Sequence, residues 1–159
     1  MSIYEARKHL EKFNRENDIL EFDESSATVQ LAAEVLNVEP GRIAKSISLK
    51  NGEGAILIVT AGDTKIDNKK FKAEFGIKAK MLTPEETMEY IGHPVGGVCP
   101  FGLKEEVPIF LDESLKRFET VYPACGSSNS AIKLTCDELK EHSESEKWID
   151  VCKSRDNQE

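Results

Sequence analysis

Residues 92–103 form a stretch with four glycines and two prolines in twelve positions. Glycine lets backbone amides turn outward and lets a ligand approach the main chain, while proline fixes the neighbouring dihedral angles. A loop that is both permissive and stiff suits a binding site made of backbone groups. An ordinary long connection would have a similar composition, so the stretch by itself leaves both interpretations open.

Lys45 is a second candidate, because of the strand face on which its spacing places it. Three apolar residues of the strand predicted over residues 43–49 share that face, namely Ile43, Ile47 and Leu49. Such a lysine either packs its stem and extends its amine to solvent, or places the amine at the mouth of a pocket. Residues 125–130, Cys-Gly-Ser-Ser-Asn-Ser, form a second small polar loop. The two loops and the amine together could hold a carbonyl or a phosphate.

The motifs of the common catalytic machineries are missing. The chain has no G-x-S-x-G elbow, no H-E-x-x-H pair, no Walker loop and no dinucleotide-binding glycine fingerprint. His93 and Cys99 could be proposed as base and nucleophile, but nothing in the sequence places an orienting acid near them. The cysteines lack C-x-x-C spacing, so we expect no disulfide and no metal or other cofactor. Cys125 and Cys136 are expected to be small buried side chains.

Composition favours a soluble globular domain in the cytoplasm. Hydrophobic residues make up 39% and charged residues 31% of the 159 positions. The first residues are charged where a signal peptide is apolar, and the longest strongly apolar run, residues 55–59, is far below membrane-spanning length. The formal net charge of -8 argues against a general nucleic-acid binder. Six lysines between residues 65 and 80 leave open a local basic surface, although most such runs are solvated helix faces.

Periodicity predicts short helices and strands in irregular alternation. Helix signals occur in residues 2–14, 25–36, 68–75, 84–90, 113–118 and from residue 137, and strand patterns in residues 19–22, 43–49, 55–60, 78–82, 107–111, 120–122 and 131–134. Ser25 and Ser26 are the candidate N-cap of the second helix. These elements predict one α+β domain over residues 1–152, with a mixed, strongly curved sheet flanked by helices, and a polar tail over residues 153–159.

Three sequence features occur in a recognisable order: Gly-Arg-Ile-Ala-Lys-Ser over residues 41–46, G-x-x-x-G-G-x-x-P-x-G over residues 92–102, and Gly-Ser-Ser over residues 126–128. Over about residues 28–139 the chain resembles the YbaK/EbsC-type aminoacyl-tRNA deacylases, which are similar to the editing domain inserted in bacterial prolyl-tRNA synthetases. The resemblance implies a barrel-like sheet and hydrolysis, in trans, of the ester in mischarged tRNA, typically tRNA(Pro) carrying Cys or Ala. It implies no covalent protein nucleophile, so water or a group on the substrate does the chemistry.

The resemblance also assigns residues. Lys45 would contact the substrate at the tRNA 3′ end, with the backbone of Gly96 and Gly97 as the other catalytic groups. The substrate-binding positions would be Ser46, Pro100, Phe101, Gly102, Gly126, Ser127 and Ser128. Phosphate contact by Lys65, Lys69, Lys70 and Lys72 is a further hypothesis.

Two departures from the family pattern bear on specificity. Ser46 stands where threonine is frequent, and residues 128–131, Ser-Asn-Ser-Ala, stand where the cysteine-editing branch carries Arg-Gly and then an aspartate. The amino acid released, and a partner role for prolyl-tRNA synthetase, are therefore open. A non-catalytic module that binds the aminoacyl-tRNA end or a nucleotide-like ligand is the alternative, followed by a thiol enzyme that uses Cys99.

Overall fold

A computed structural model describes residues 2–104 and 106–155. The α-helices are α1 Ser2–Glu11, α2 Val29–Leu36, α3 Asn68–Phe75, α4 Pro84–Tyr90 and α5 Cys136–Ser143. The strands are β1 Leu20–Glu21, β2 Ile43–Asn51, β3 Gly54–Ala61, β4 Thr64–Ile66, β5 Ile109–Asp112, β6 Thr120–Pro123, β7 Ser130–Ala131, β8 Leu134–Thr135, β9 Lys147–Ile149 and β10 Cys152–Ser154. Short 3₁₀ turns lie at Glu16–Asp18, Pro40–Arg42 and Glu113–Arg117.

Six strands form one mixed, curled sheet in the order β8-β6-β2-β3-β5-β9. The β2–β3 hairpin is its centre, paired antiparallel from Ala44↔Ala61 to Asn51↔Gly54. Strands β6 and β5 join the two outer sides of this hairpin in parallel, and β9 pairs in parallel with β5. Two-stranded pairs β1–β7 and β4–β10 complete the fold. The predicted α+β architecture with a mixed, curved sheet is confirmed.

Strand β3 separates two apolar layers, because successive side chains of a strand point to opposite faces. Leu57 and Val59 belong to the larger core, whereas Ile56 and Ile58 pack in a second core with Phe71 of α3. All four side chains are almost completely buried. Cover on both faces explains why this strand is a continuous apolar run instead of an alternating pattern.

Local capping sets several helix boundaries where the sequence predicts them. Thr83 and Thr135 each form a capping box, with Glu86 and Glu138 respectively, at the starts of α4 and α5. Asp67 caps α3 through the backbone N–H groups of Lys69 and Lys70. These contacts involve residues at most three positions apart, so they can be recognised without knowledge of the tertiary fold.

Other boundaries differ from the predictions. The N-cap of α2 is Thr28, whose side chain accepts from Leu31 N, because Ser26 instead bonds the carbonyl of Ser128. Helix α1 ends at Glu11 instead of residue 14, where Asn14 is left-handed with φ 60°. The paired strand β10 extends two residues past the expected end of the domain at residue 152.

The strand predicted over residues 78–82 is reduced to one bridge, Leu49↔Met81. Lys50 N donates to Lys80 O at 2.8 Å and Leu82 N donates to Ser48 O at 3.1 Å. Pairing stops there because the chain turns into α4 at Thr83, and Pro84 has no N–H with which to continue the ladder. Within residues 2–104 and 106–155, no helix combines the length and apolar character that a membrane crossing requires.

Candidate active site

A cavity of about 440 Å³ opens beside β2. Its walls come from the start of α2, strand β2, the start of α4, the glycine-rich loop (residues 92–103) and the segment around β7. Most lining residues are apolar, many of them small, and hydroxyl groups of serine and threonine lie among them. The cavity therefore suits a small ligand that carries hydrogen-bonding groups on an otherwise apolar body.

Ser46 is the most conspicuous polar group of this cavity. Its Oγ is buried and has no hydrogen-bond partner among the described residues. A buried hydroxyl without a partner costs free energy, so such groups in folded proteins usually have a bound partner. Ser48, two residues along the same strand, also lines the cavity.

The glycine-rich loop closes one side of the cavity through Val95, Gly96 and Val98. Gly96 has φ +97°, and a side chain there would meet Ala27 at 3.2 Å. Because this backbone conformation is rarely adopted by other residues, glycine keeps the loop close to the segment before α2. The N–H of Gly97 donates to Pro94 O at 2.9 Å, so this amide is already committed within the loop.

The second polar loop packs directly on the first. A Cβ at Gly97 would lie 2.7 Å from Ser127 N and 2.9 Å from the carbonyl carbon of Gly126. Ser127 Oγ bonds Ser130 and Asn129, while the Ser128 carbonyl accepts from Ser26 N at 2.6 Å. The structure therefore brings the two predicted loops together. The 125–130 loop supports the cavity wall at residues 26–28. Its own residues 126–128 do not line the cavity.

Three residues assigned by resemblance lie away from the cavity. Phe101 is fully buried in the main core, and Pro100 and Gly102 border a separate groove near α1. Gly102 has φ +68° and lies against the backbone of Glu5, which leaves no space for a side chain. Because α1 packs on this part of the glycine-rich loop, residues 100–102 turn away from the cavity.

Lys45 lies in the cavity wall, but its ammonium group is engaged elsewhere. Lys45 Nζ donates to the backbone carbonyl of Thr64 in β4 at 2.6 Å. Burial lowers the pKa of Lys45 below its usual value, and the positive charge of Arg155 lowers that pKa further. The Lys45 ammonium is thus a partly desolvated cation. Its hydrogen-bond partner is the Thr64 carbonyl of β4 and not a group that lines the cavity.

His93 and Cys99 meet in space, yet the site around them is closed. His93 Nε2 lies 2.7 Å from Phe101 O and 3.5 Å from Cys99 Sγ. Both side chains are fully buried, and neither lines the cavity. Burial raises the pKa of the Cys99 thiol to about 12 and lowers the pKa of His93. These conditions suppress a thiolate, so the pair contributes to packing and gives no support to a cysteine nucleophile.

The four candidate tRNA-contacting lysines lie on β4 and α3. Lys69 and Lys72 are exposed on α3, and Lys65 is partly buried on β4. Lys70 differs, because its Nζ bonds both Asp150 and the carbonyl of Cys152. The structure thus places three of these lysines where a polyanion could approach and ties the fourth to the fold.

Some cavity residues have no signal in the sequence. Ser26, Thr28 and Val29 line the cavity wall next to the glycine-rich loop, although they lie almost seventy positions earlier in the chain. Only the tertiary fold brings them to the loop. Ser48, in contrast, could have been found from its two-residue spacing to Ser46 on β2.

This chain is similar in sequence and in fold to several known proteins. The model of the aminoacyl-tRNA editing domain family matches residues 23–141. The uncharacterized protein YwhH of Bacillus subtilis (strain 168) is 58% identical over 154 residues, which covers 96% of this chain and 98% of that protein. A candidate Cys-tRNA(Pro)/Cys-tRNA(Cys) deacylase, EbsC of Enterococcus faecalis, is 29% identical over 115 residues and covers 71% of this chain and 70% of EbsC.

Two further comparisons concern prolyl-tRNA synthetase. The proline–tRNA ligase of Kosmotoga olearia is 34% identical over 90 residues, which is 56% of this chain but 16% of the ligase. A crystal structure of a candidate trans-editing enzyme for prolyl-tRNA synthetase superposes with a TM-score of 0.86 at 28% identity, over 96% of this chain and 98% of that chain. The resemblance drawn from the two loops and Lys45 is confirmed, and the chain belongs to the aminoacyl-tRNA editing domain family.

Proposed function

We propose that this protein hydrolyses the ester of mischarged aminoacyl-tRNA in trans, with tRNA(Pro) that carries alanine or cysteine as the expected substrate. The observation that carries the proposal is the cavity beside β2, with the buried and unpartnered hydroxyl of Ser46 on its wall. Membership in the editing-domain family and the likeness to a candidate trans-editing enzyme support it.

The chemistry requires little from side chains. An aminoacyl ester is already activated, so positioning and stabilisation of the developing oxyanion can supply the rate enhancement. In the proposed reaction water adds to the acyl carbon and the ester C–O bond breaks. The ribose oxygen leaves with a proton derived from the water, and the products are a free amino acid and uncharged tRNA. Among the described residues no cysteine lines the cavity, which supports a route without a covalent thioester.

Lys45 enters the proposal as a cation for the tRNA 3′ end. Its four-carbon stem is flexible, so the ammonium can exchange the Thr64 carbonyl for an oxygen of the substrate. A partly desolvated cation interacts more strongly with an anion than one in bulk water. In this proposal the backbone of Gly96 contacts the substrate. Gly97 has a steric role only, because the Gly97 N–H already donates to Pro94 O.

The test is a deacylation assay on tRNA(Pro) charged with alanine or cysteine. We expect ester loss with the wild type, and a decrease in kcat/KM on the order of 10²–10³ for Lys45→Ala. Lys50→Ala is the matched control, because Lys50 lies on the same strand and pairs with Glu86 at the surface. An equal loss in both variants would remove Lys45 from the mechanism.

One observation favours the second candidate, a binding module without hydrolysis. The Lys45 ammonium is bonded to a backbone carbonyl of the fold instead of pointing free into the cavity. Tight binding of charged tRNA without faster ester loss would establish this alternative. A panel of tRNAs charged with different amino acids then identifies which aminoacyl group is bound or released.

A further inference from the structure

The outer edge of β2 is open over a short interval. On this side β2 pairs with β6 only at Ile43↔Tyr122 and Ala44↔Pro123. The next contact on the same side is Leu82 N donating to Ser48 O. Between these two contacts, residues 45–47 have no neighbouring strand on that side within the described part of the chain. The gap faces the cavity, which Ser46 lines.

The backbone groups of Ser46 point into this gap. Along a strand the N–H and C=O groups of successive residues point to opposite sides. Lys50 N and Ser48 O both bond outward, to Lys80 O and Leu82 N, so the backbone groups of Ser46 share that direction. No hydrogen bond from an outer segment to Ser46 N or O occurs in residues 2–104 and 106–155.

The nearby segments lack groups that could fill the gap. In the register of the Leu49↔Met81 bridge, the residue opposite Ser46 is Pro84, which has no N–H. On the other side, pairing with β6 stops at Ala44, before it would reach Ser46. The protein thus presents one donor, one acceptor and the unpartnered Ser46 Oγ at a single position of the cavity.

We propose that the aminoacyl group of the substrate pairs with Ser46 as a one-residue strand, a proposal that rests on the proposed function. In an antiparallel pair, two facing residues exchange both of their N–H···O bonds. An aminoacyl ester carries the same groups, an α-ammonium donor and a carbonyl acceptor separated by one carbon. The α-ammonium donates to Ser46 O, and the ester carbonyl accepts from Ser46 N–H.

This arrangement gives Ser46 N–H a catalytic role. The carbonyl oxygen that accepts from this amide becomes the oxyanion when water adds to the acyl carbon. A backbone donor fixed in a strand stabilises that charge without reorganisation. The bond to Ser46 O also requires an N–H on the α-nitrogen, which distinguishes an aminoacyl ester from an ester without nitrogen.

The pairing also places the side chain of the amino acid. Directly opposed residues in a sheet project their side chains on the same face. The side chain of the bound amino acid therefore lies beside Ser46 Oγ, among the small residues of the cavity. This position favours small aminoacyl groups and leaves Ser46 Oγ available to a side chain that can hydrogen bond.

The first test follows backbone amides by NMR while the wild type is titrated with a non-hydrolysable probe. The probe is 3′-alanylamino-3′-deoxyadenosine, in which an amide replaces the ester. We expect a downfield shift of the Ser46 amide and about tenfold slower hydrogen exchange at that position, as one new hydrogen bond would give. The Lys50 amide, already bonded to Lys80 O at 2.8 Å, should not change.

The second test removes the donor without changing the side chain. Replacing the Ser46 amide by an ester, with the α-hydroxy analogue of serine, deletes its N–H and also makes the Lys45 carbonyl a weaker acceptor; the Lys50 replacement below controls for the weaker carbonyl. We expect kcat/KM for deacylation to fall on the order of 10²-fold. The same replacement at Lys50 removes a structural bond on the same edge and should leave kcat/KM unchanged in the folded protein.

The outcomes separate this proposal from the proposed function. Active wild type with a bound probe and an unchanged Ser46 amide would overturn the pairing while the deacylase function stands. Unimpaired activity of the Ser46 ester variant would overturn it too. A wild type that neither binds the probe nor hydrolyses any charged tRNA would refute both. A shifted Ser46 amide without hydrolysis supports the pairing and favours the binding module.

Discussion

Gly97→Ala should force apart the two loops behind the cavity wall. A Cβ at Gly97 would lie 2.7 Å from Ser127 N, whereas ordinary van der Waals contact begins at 3.4 Å, so the difference requires a shift of about 0.7 Å. The atoms it meets belong to the backbone of residues 126 and 127, which cannot rotate away like a flexible side chain. Gly97 is not among the positive-φ residues, so the expected strain is purely steric.

Two measurements follow from that displacement. Overpacking of this kind costs about 1–3 kcal/mol, so we expect a lower urea midpoint for Gly97→Ala. A wall displaced by about 0.7 Å can also reduce kcat/KM by up to the order of 10²-fold in the deacylation assay, because reacting groups lose their alignment. Gly54→Ala is the control, since its nearest contact is Asn51 O at 3.8 Å. If Gly97→Ala has the same urea midpoint and the same kcat/KM as the wild type, the close contact between the loops is refuted.

Three further changes test other parts of the structure. Cys99→Ala should keep kcat/KM within about threefold, because burial raises the pKa of that thiol to about 12 and suppresses the thiolate; a loss above tenfold would restore the thiol mechanism. Burial lowers the pKa of His93 in the folded state, so the unfolded chain binds the proton more readily and the free energy of unfolding should fall as the pH drops below 6.5. His93→Gln should flatten that pH dependence in urea titrations, and an unaltered slope would contradict this assignment. Lys69→Gln combined with Lys72→Gln should weaken tRNA binding and reduce its log–log salt slope by about one unit per lost phosphate contact, whereas the exposed Lys133→Gln should not; equal slopes would exclude α3 from the tRNA interface.

The sequence was sufficient where structure is determined by neighbours in the chain. The capping boxes at Thr83 and Thr135 involve contacts within three residues, and the structure has them. The three-residue strands β4, β9 and β10 are too short for a period-2 pattern to be recognised. Their absence from the sequence-based description also concealed the Thr64 carbonyl, which is the partner of the Lys45 ammonium.

The candidate site could be predicted only in part for a related reason. Composition identified both loops, and the structure packs them together at Gly97 and Ser127. The wall at residues 26–29 joins both loops through tertiary contacts that no local pattern contains. The open backbone of Ser46 is defined by which strands end beside it, and that information belongs to the sheet and not to the residue.

The short gap in the β2 edge also bears on how the protein avoids self-association. An exposed strand edge is a template on which a second copy can add a strand and begin an aggregate. Here β6 covers one end of the edge and the segment at Met81 covers the other, so only residues 45–47 are open. Three residues flanked by covered backbone are too few for a strand of another chain to pair. The edge can therefore pair with a single residue through hydrogen bonds without becoming a site of edge-to-edge assembly.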